Sequence, residues 1–159
     1  MRFLKLFIWI IILYVFLPKQ TVYVSSIQAT PEDGRRAKLE AFFTAKKSPL
    51  VPLADVFIRE ADANGLDWRL LPSVACVESS CGKNYRNNMF GWGSDQIDYG
   101  TDEQDIAQIA HKIRNLSYYQ IYRKSGRLYD FALAYNGPYV QDYFEKISYF
   151  YYVLSETKE

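Results

Sequence analysis

Residues 71–94 read LPSVACVESSCGKNYRNNMFGWGS. A small and apolar run carries one carboxylate, Glu78, between the chain's only two cysteines, Cys76 and Cys81. Leu71, Val74, Ala75 and Glu78 recur at spacings of three and four, so on a helix they share one face. Glu78 therefore continues an apolar stripe and is expected at the edge of a core. A carboxylate there is poorly solvated, which raises its pKa. A Glu still protonated near neutral pH suits a general acid that protonates a glycosidic oxygen. The bland alternative is a helix-end Glu that turns to water or pairs with an arginine.

The cysteines do not share a face of a regular helix. Five residues at helical rise put their Cα atoms roughly 8 to 9 Å apart, too far for a disulfide. A Cys76–Cys81 bond requires the helix to end or tighten near Ser79-Ser80, which Gly82 permits. Its role would be to brace the turn that carries Glu78; the alternative is two independent buried thiols.

The run NNMFGWGS, 87–94, follows. Asn87 and Asn88 take turn conformations and offer amides, Gly91 and Gly93 allow close backbone approach, and Phe90 and Trp92 offer flat apolar faces. Acetamido sugars want that combination, though an ordinary turn with packed aromatics uses the same residues.

The rest of the chain reads as helices. Pro31 to Lys47 carries Leu39, Phe42 and Phe43 on one stripe. Pro52 to Asn64 carries Leu53, Phe57 and Ala61 and stops at Gly65. Asp67 caps the helix that runs to about Ser80. Thr101 to Gln104 is a capping-box pattern opening a helix with Ile106, Ile109, Ala110 and Ile113 on one face. Shorter helices are expected around Ser117 to Arg123 and Leu128 to Tyr135. Val140 to Ser155 closes the chain with Phe144, Ile147, Tyr151 and Leu154 buried. Residues 82–100 resist a helical reading and form a long loop or a rudimentary hairpin. The fold class is mostly α, a single domain with that loop beside the helix of Glu78. Long loops in compact domains are often functional.

At the N-terminus, Arg2 and Lys5 precede an apolar run from Leu6 to Leu17 and then Pro18. The run is shorter than the roughly 20 residues a membrane span needs, so residues 1–29 read as a signal peptide with linker, or as a retained anchor. Residues 30–159 form the domain. Either way the domain lies outside the cytoplasm, in the periplasm or cell wall.

A net charge of +1 lacks the basic excess of a dedicated nucleic-acid binder, and none is expected as partner. One histidine, His111, and two cysteines cannot supply a four-ligand zinc site, so no metal or organic cofactor is expected. Aromatics make up 17% of the chain, enough to build a core and still line a cleft.

Three segments resemble the lysozyme-like peptidoglycan glycosidases. ANGLDWRLLPSVACVESSCGK, 63–83, resembles the helix-turn-helix of lytic transglycosylases and endo-β-N-acetylglucosaminidases, in which a Glu-Ser pair carries the catalytic acid. Glu78-Ser79 occupies that place. NNMFGWG resembles the Asn-Asn-x-Phe-Gly motif of the glucosaminidases. FALAYNGPYV, 131–140, resembles the Ala-Tyr-Asn-Gly-Pro segment of lytic transglycosylases, whose Tyr faces the catalytic Glu. The resemblance covers roughly residues 50 to 150, and the three motifs fall in the right order. It implies a lysozyme-like domain that cleaves β-1,4 bonds between N-acetylmuramic acid and N-acetylglucosamine.

Glu78 would be the general acid, Tyr135 would orient Glu78 or the substrate, and Ser79, Asn88, Phe90, Trp92 and Asn136 would be the substrate-binding residues. Peptidoglycan strands would be the partner of a monomeric enzyme. Two departures stand out: Met89-Phe90-Gly91-Trp92 replaces the Gly-Leu-Met-Gln usual in lytic transglycosylases, and neither family generally has the cysteine pair. A second carboxylate, where one is used, would come from Asp95, Asp98 or Asp102. The rival reading is a non-catalytic peptidoglycan-binding or wall-assembly protein with the same fold; a third is an enzyme acting on chitin.

Overall fold

In the computed structural model the residues described are 34–86, 88–94 and 96–158. Residues 1–29, read as signal peptide or anchor, and Asp95 and Asn87 lie outside them.

Among the described residues seven α-helices form: α1 Arg35–Ala45, α2 Ala54–Asn64, α3 Leu70–Ser79, α4 Asp102–Asn115, α5 Gln120–Ser125, α6 Leu128–Asn136 and α7 Val140–Glu156. Short 3₁₀ turns lead into α2, α5 and α7. No strand occurs among the described residues, so the loop before α4 is not the rudimentary hairpin. Two helix ends fall where the sequence places them, but Asp67 does not cap α3, whose N-cap is Arg69; the Asp67 carboxylate accepts Arg69 N at 2.9 Å ahead of the helix. α2 ends at a left-handed Gly65, and Thr101 and Gln104 exchange the two hydrogen bonds of a capping box at α4.

α3 is the central helix. Leu70, Leu71, Val74 and Ala75 have no exposed surface, as expected of a helix apolar on nearly all sides. α7 packs across α3, α6 and α1, and α2 packs on α4. Ring contacts join these layers: Phe43 to Phe57 at 5.5 Å, and Phe57 to Phe90 at 6.5 Å. Each such ring, fully buried, contributes about 1.5–3 kcal/mol.

One expected face is rotated. α7 buries Tyr143, Ile147 and Leu154, whereas Phe144 and Tyr151 are only half-buried. Phe144 meets Tyr129 of α6 edge-on at 5.3 Å, and that contact draws it out of the central core.

Candidate active site

α3 stops abruptly. Ser80 and Cys81 take left-handed conformations, φ 54° and 57°, and Gly82 follows at 76°. The reversal brings the Cα atoms of Cys76 and Cys81 to 3.6 Å, and the two side chains form a disulfide. The regular-helix distance fails because the helix is over before Cys81. Ser79 holds the same turn. Its hydroxyl donates to Ala75 O at 2.7 Å and accepts from Gly82 N at 3.0 Å, and only 1% of the residue is exposed. Ser79 is thus a brace and has no surface to offer a substrate, contrary to its expected binding role.

Glu78 stands on the last turn of α3, just ahead of this reversal. As a residue it is exposed, so a molecule can reach it. Its carboxyl nevertheless has the Gly91 backbone close beside Oε2. The surrounding protein desolvates it and raises its pKa; Tyr143 and the Lys146 charge pull the other way without reversing the shift. Tyr143 forms no direct hydrogen bond. Its buried hydroxyl has no partner, and it acts on Glu78 from beyond hydrogen-bonding geometry.

Opposite the carboxyl lies the loop. A Cβ built on Gly91, where φ is +61°, would stand 3.1 Å from Glu78 Oε2. The NNMFGWG motif therefore delivers bare backbone to the acid. Its other residues anchor that backbone. Phe90 has no exposed surface and packs on Phe57, and its carbonyl accepts the Tyr135 hydroxyl at 2.6 Å. The Asn88 amide donates to Trp92 O at 2.9 Å and Ser94 O at 3.1 Å, with 6% of the residue exposed. A buried ring and a consumed amide cannot receive a sugar, so the expected binding roles of Phe90 and Asn88 are corrected to loop-holding ones. Trp92 is half-buried, with Lys112 Nζ 4.7 Å from its ring centroid. It keeps part of its surface open.

Tyr135 does not bond Glu78, the contact expected of an orienting partner. It ties α6 to the loop and stacks on Tyr143 at 5.5 Å, with the rings 11° from parallel. The tyrosine that acts on the carboxyl is Tyr143, which the sequence reading passed over. Asn136 ends α6, half-buried, and forms no hydrogen bond with Glu78. Asp98 accepts from Gly100 N at 2.8 Å and Asp102 from the Tyr85 hydroxyl at 2.6 Å, so both serve the loop.

A further acid went unread. Asp105, on the first turn of α4, is 2% exposed. Its Oδ2 accepts Met89 N at 2.7 Å, while Oδ1 is buried without a partner. Burial pushes its pKa up to about 6; the Met89 N–H opposes this, and the Asp102 charge adds to it. In the unfolded chain the group titrates near 4. Between those values the folded state binds more protons, so stability falls as pH rises from about 4 to above 6. Asp105→Asn is expected to stabilise the protein by about 1–2 kcal/mol at pH 7.5 and to change little at pH 4.5. Urea unfolding at the two pH values checks this. An equal effect at both would show that charge burial is not the cause.

Gly91→Ala is expected to lower turnover at least tenfold, because the methyl enters the space beside Oε2, and to cost about 1 kcal/mol for the left-handed backbone. Steady-state kinetics beside a melting curve separates the two. Undiminished turnover in a folded variant would mean that nothing reacts on that side of Glu78.

Comparison with protein-family models, with curated proteins and with solved structures found no match.

Proposed function

We propose that this chain is a lysozyme-like glycosidase that cleaves β-1,4 bonds in peptidoglycan strands, with Glu78 as general acid. One observation carries the reading: a reachable carboxyl whose pKa is raised by desolvation, with side-chain-free backbone facing its Oε2. A carboxyl shifted in that direction is better suited to give up a proton to a glycosidic oxygen, and the glycine keeps any side chain from covering Oε2. As the C–O bond breaks, the proton passes to the leaving oxygen and positive charge develops on the sugar. The resulting carboxylate is then stabilised by the Lys146 charge and the Tyr143 hydroxyl, and accepts a proton from whichever hydroxyl attacks the sugar.

Asp98 and Asp102, two of the candidate second carboxylates, are spent on Gly100 N and the Tyr85 hydroxyl, which agrees with a mechanism in which one Glu acts as acid and then base. The Cys76–Cys81 bond suits an oxidising compartment, in keeping with export.

The test is digestion of purified peptidoglycan, with mass spectrometry of the products. Anhydro-sugar ends identify a lytic transglycosylase. Reducing ends identify a hydrolase, and the terminal sugar names the bond. Digestion of chitin in preference to wall would move the substrate class. Absence of products from folded protein would leave the non-catalytic wall-binding reading in its place.

A further inference from the structure

Away from Glu78, two cavities share the walls Tyr122, Gly126 and Tyr151. The larger, about 600 Å³, lies between the α5–α6 turn and α7 and is faced by aromatic rings, among them Tyr129, Phe144 and Tyr152. The smaller, about 260 Å³, reaches the α2–α3 turn and is lined by Arg114 and Arg123. Asp67, its one carboxylate, is already paired with Arg69 at 2.6 Å. Arg114 has no hydrogen-bond or carboxylate partner among the described residues, and Arg123 uses one nitrogen on the Ile113 and Leu116 carbonyls at 3.0 and 2.8 Å. The small cavity thus holds two cations, Arg114 and Arg123, neither of them paired with a carboxylate among the described residues, beside an aromatic trough.

Guanidinium groups bind carboxylates through paired N–H donors. The trough also carries the Tyr122, Tyr129 and Tyr152 hydroxyls and the Arg127 side chain among its walls. Of its two serines, the Ser155 hydroxyl is occupied, accepting from Arg69 at 2.6 Å and donating to Tyr151 O at 2.9 Å. Ser148 Oγ alone is buried and unpartnered. Aromatic walls edged by tyrosine hydroxyls fit methyl and methylene groups and backbone amides. We propose that the joined cavities form a second ligand site, taking a short acidic peptide with small apolar side chains. The carboxylate would sit between Arg114 and Arg123, and the body against Tyr129, Tyr152 and Phe144. None of the groups acting on Glu78 lines either cavity, so the site stands independently of glycan cleavage.

The test is calorimetric titration of the full chain, held in mild detergent. The probe is N-acetyl-Ala-Glu-Ala-Ala with a free carboxyl terminus. Controls are N-acetyl-Ala-Gln-Ala-Ala amide and chitotetraose. Saturable one-to-one binding of the acidic peptide is expected, weakened about tenfold in the neutral peptide and in Arg114→Gln. Tyr152→Ala, at a residue 65% exposed and safe for folding, is expected to weaken it severalfold. No saturation up to about 10 mM, or equal binding of the neutral peptide, would overturn the proposal. So would chitotetraose displacing the peptide. Peptide binding by a protein that cleaves no glycan would uphold this site while removing the glycosidase reading; cleavage without peptide binding would do the reverse.

Discussion

Glu78→Gln is expected to lower the rate of glycan cleavage about a thousandfold. Gln keeps the volume and can still hydrogen-bond, but it neither gives nor takes a proton. The same substitution is expected to raise the melting temperature at neutral pH. Glu78 has a folded-state pKa above its ordinary value, so its ionisation in the folded protein is disfavoured by desolvation. Stability from this group is greatest at low pH and declines as pH rises through the raised pKa, and an uncharged amide escapes that decline. Loss of turnover with a gain in stability is the signature of a residue strained for function. A Glu that merely completes a helix end would lose stability and leave turnover alone.

The pH profile supplies a second reading of the same site. The alkaline limb of kcat/KM should lie above the usual carboxylate range, where Glu78 loses its proton. Lys146→Gln should move that limb further up, since the Lys146 charge holds the pKa down. An unmoved limb would assign the titration to another group.

How far the sequence could be read depended on what each residue had to report. Stripes at three and four residues were legible because burial follows helical period: Leu39, Phe42 and Phe43, or Ile106, Ile109, Ala110 and Ile113, are all buried. The Glu78 position was legible for the same reason. α7 misled because aromatics sit at adjacent positions, Tyr143 beside Phe144 and Phe150 beside Tyr151, so a small change of phase exchanges which ring is buried. The loop misled differently. Nothing in a run of Asn, Gly and aromatic residues tells whether Phe90 faces a ligand or the core; that depends on Phe57, 33 positions earlier, and on the carbonyl that Tyr135 finds. Nothing in the sequence marks Asp105 among the acids that open α4, because what sets it apart is the loop that covers it and the Met89 N–H it accepts. Gly91 brings its backbone close to Glu78 Oε2, while Phe90 and Asn88, expected to touch substrate, hold that loop in place.

The disulfide sets the second large expectation. Cys76→Ala with Cys81→Ala should lower stability by about 2 kcal/mol, the value for closing a loop this short in the unfolded chain. For a domain of this size the melting temperature should fall by roughly 6–10 °C. Reductant should bring the wild type down to the variant and leave the variant unchanged. Turnover should fall with stability, because the bond also holds the left-handed pair Ser80-Cys81, a conformation that costs a non-glycine residue about 1–2 kcal/mol. Without the bond, the end of α3 can relax, and Glu78 is two residues from Ser80. Ser80→Gly in the double variant separates the two effects. Glycine adopts φ near 54° without that cost, so it should restore part of the turnover together with about 1 kcal/mol of stability. Recovery of neither would mean that the bond acts only on the unfolded chain and that Glu78 keeps its place without it.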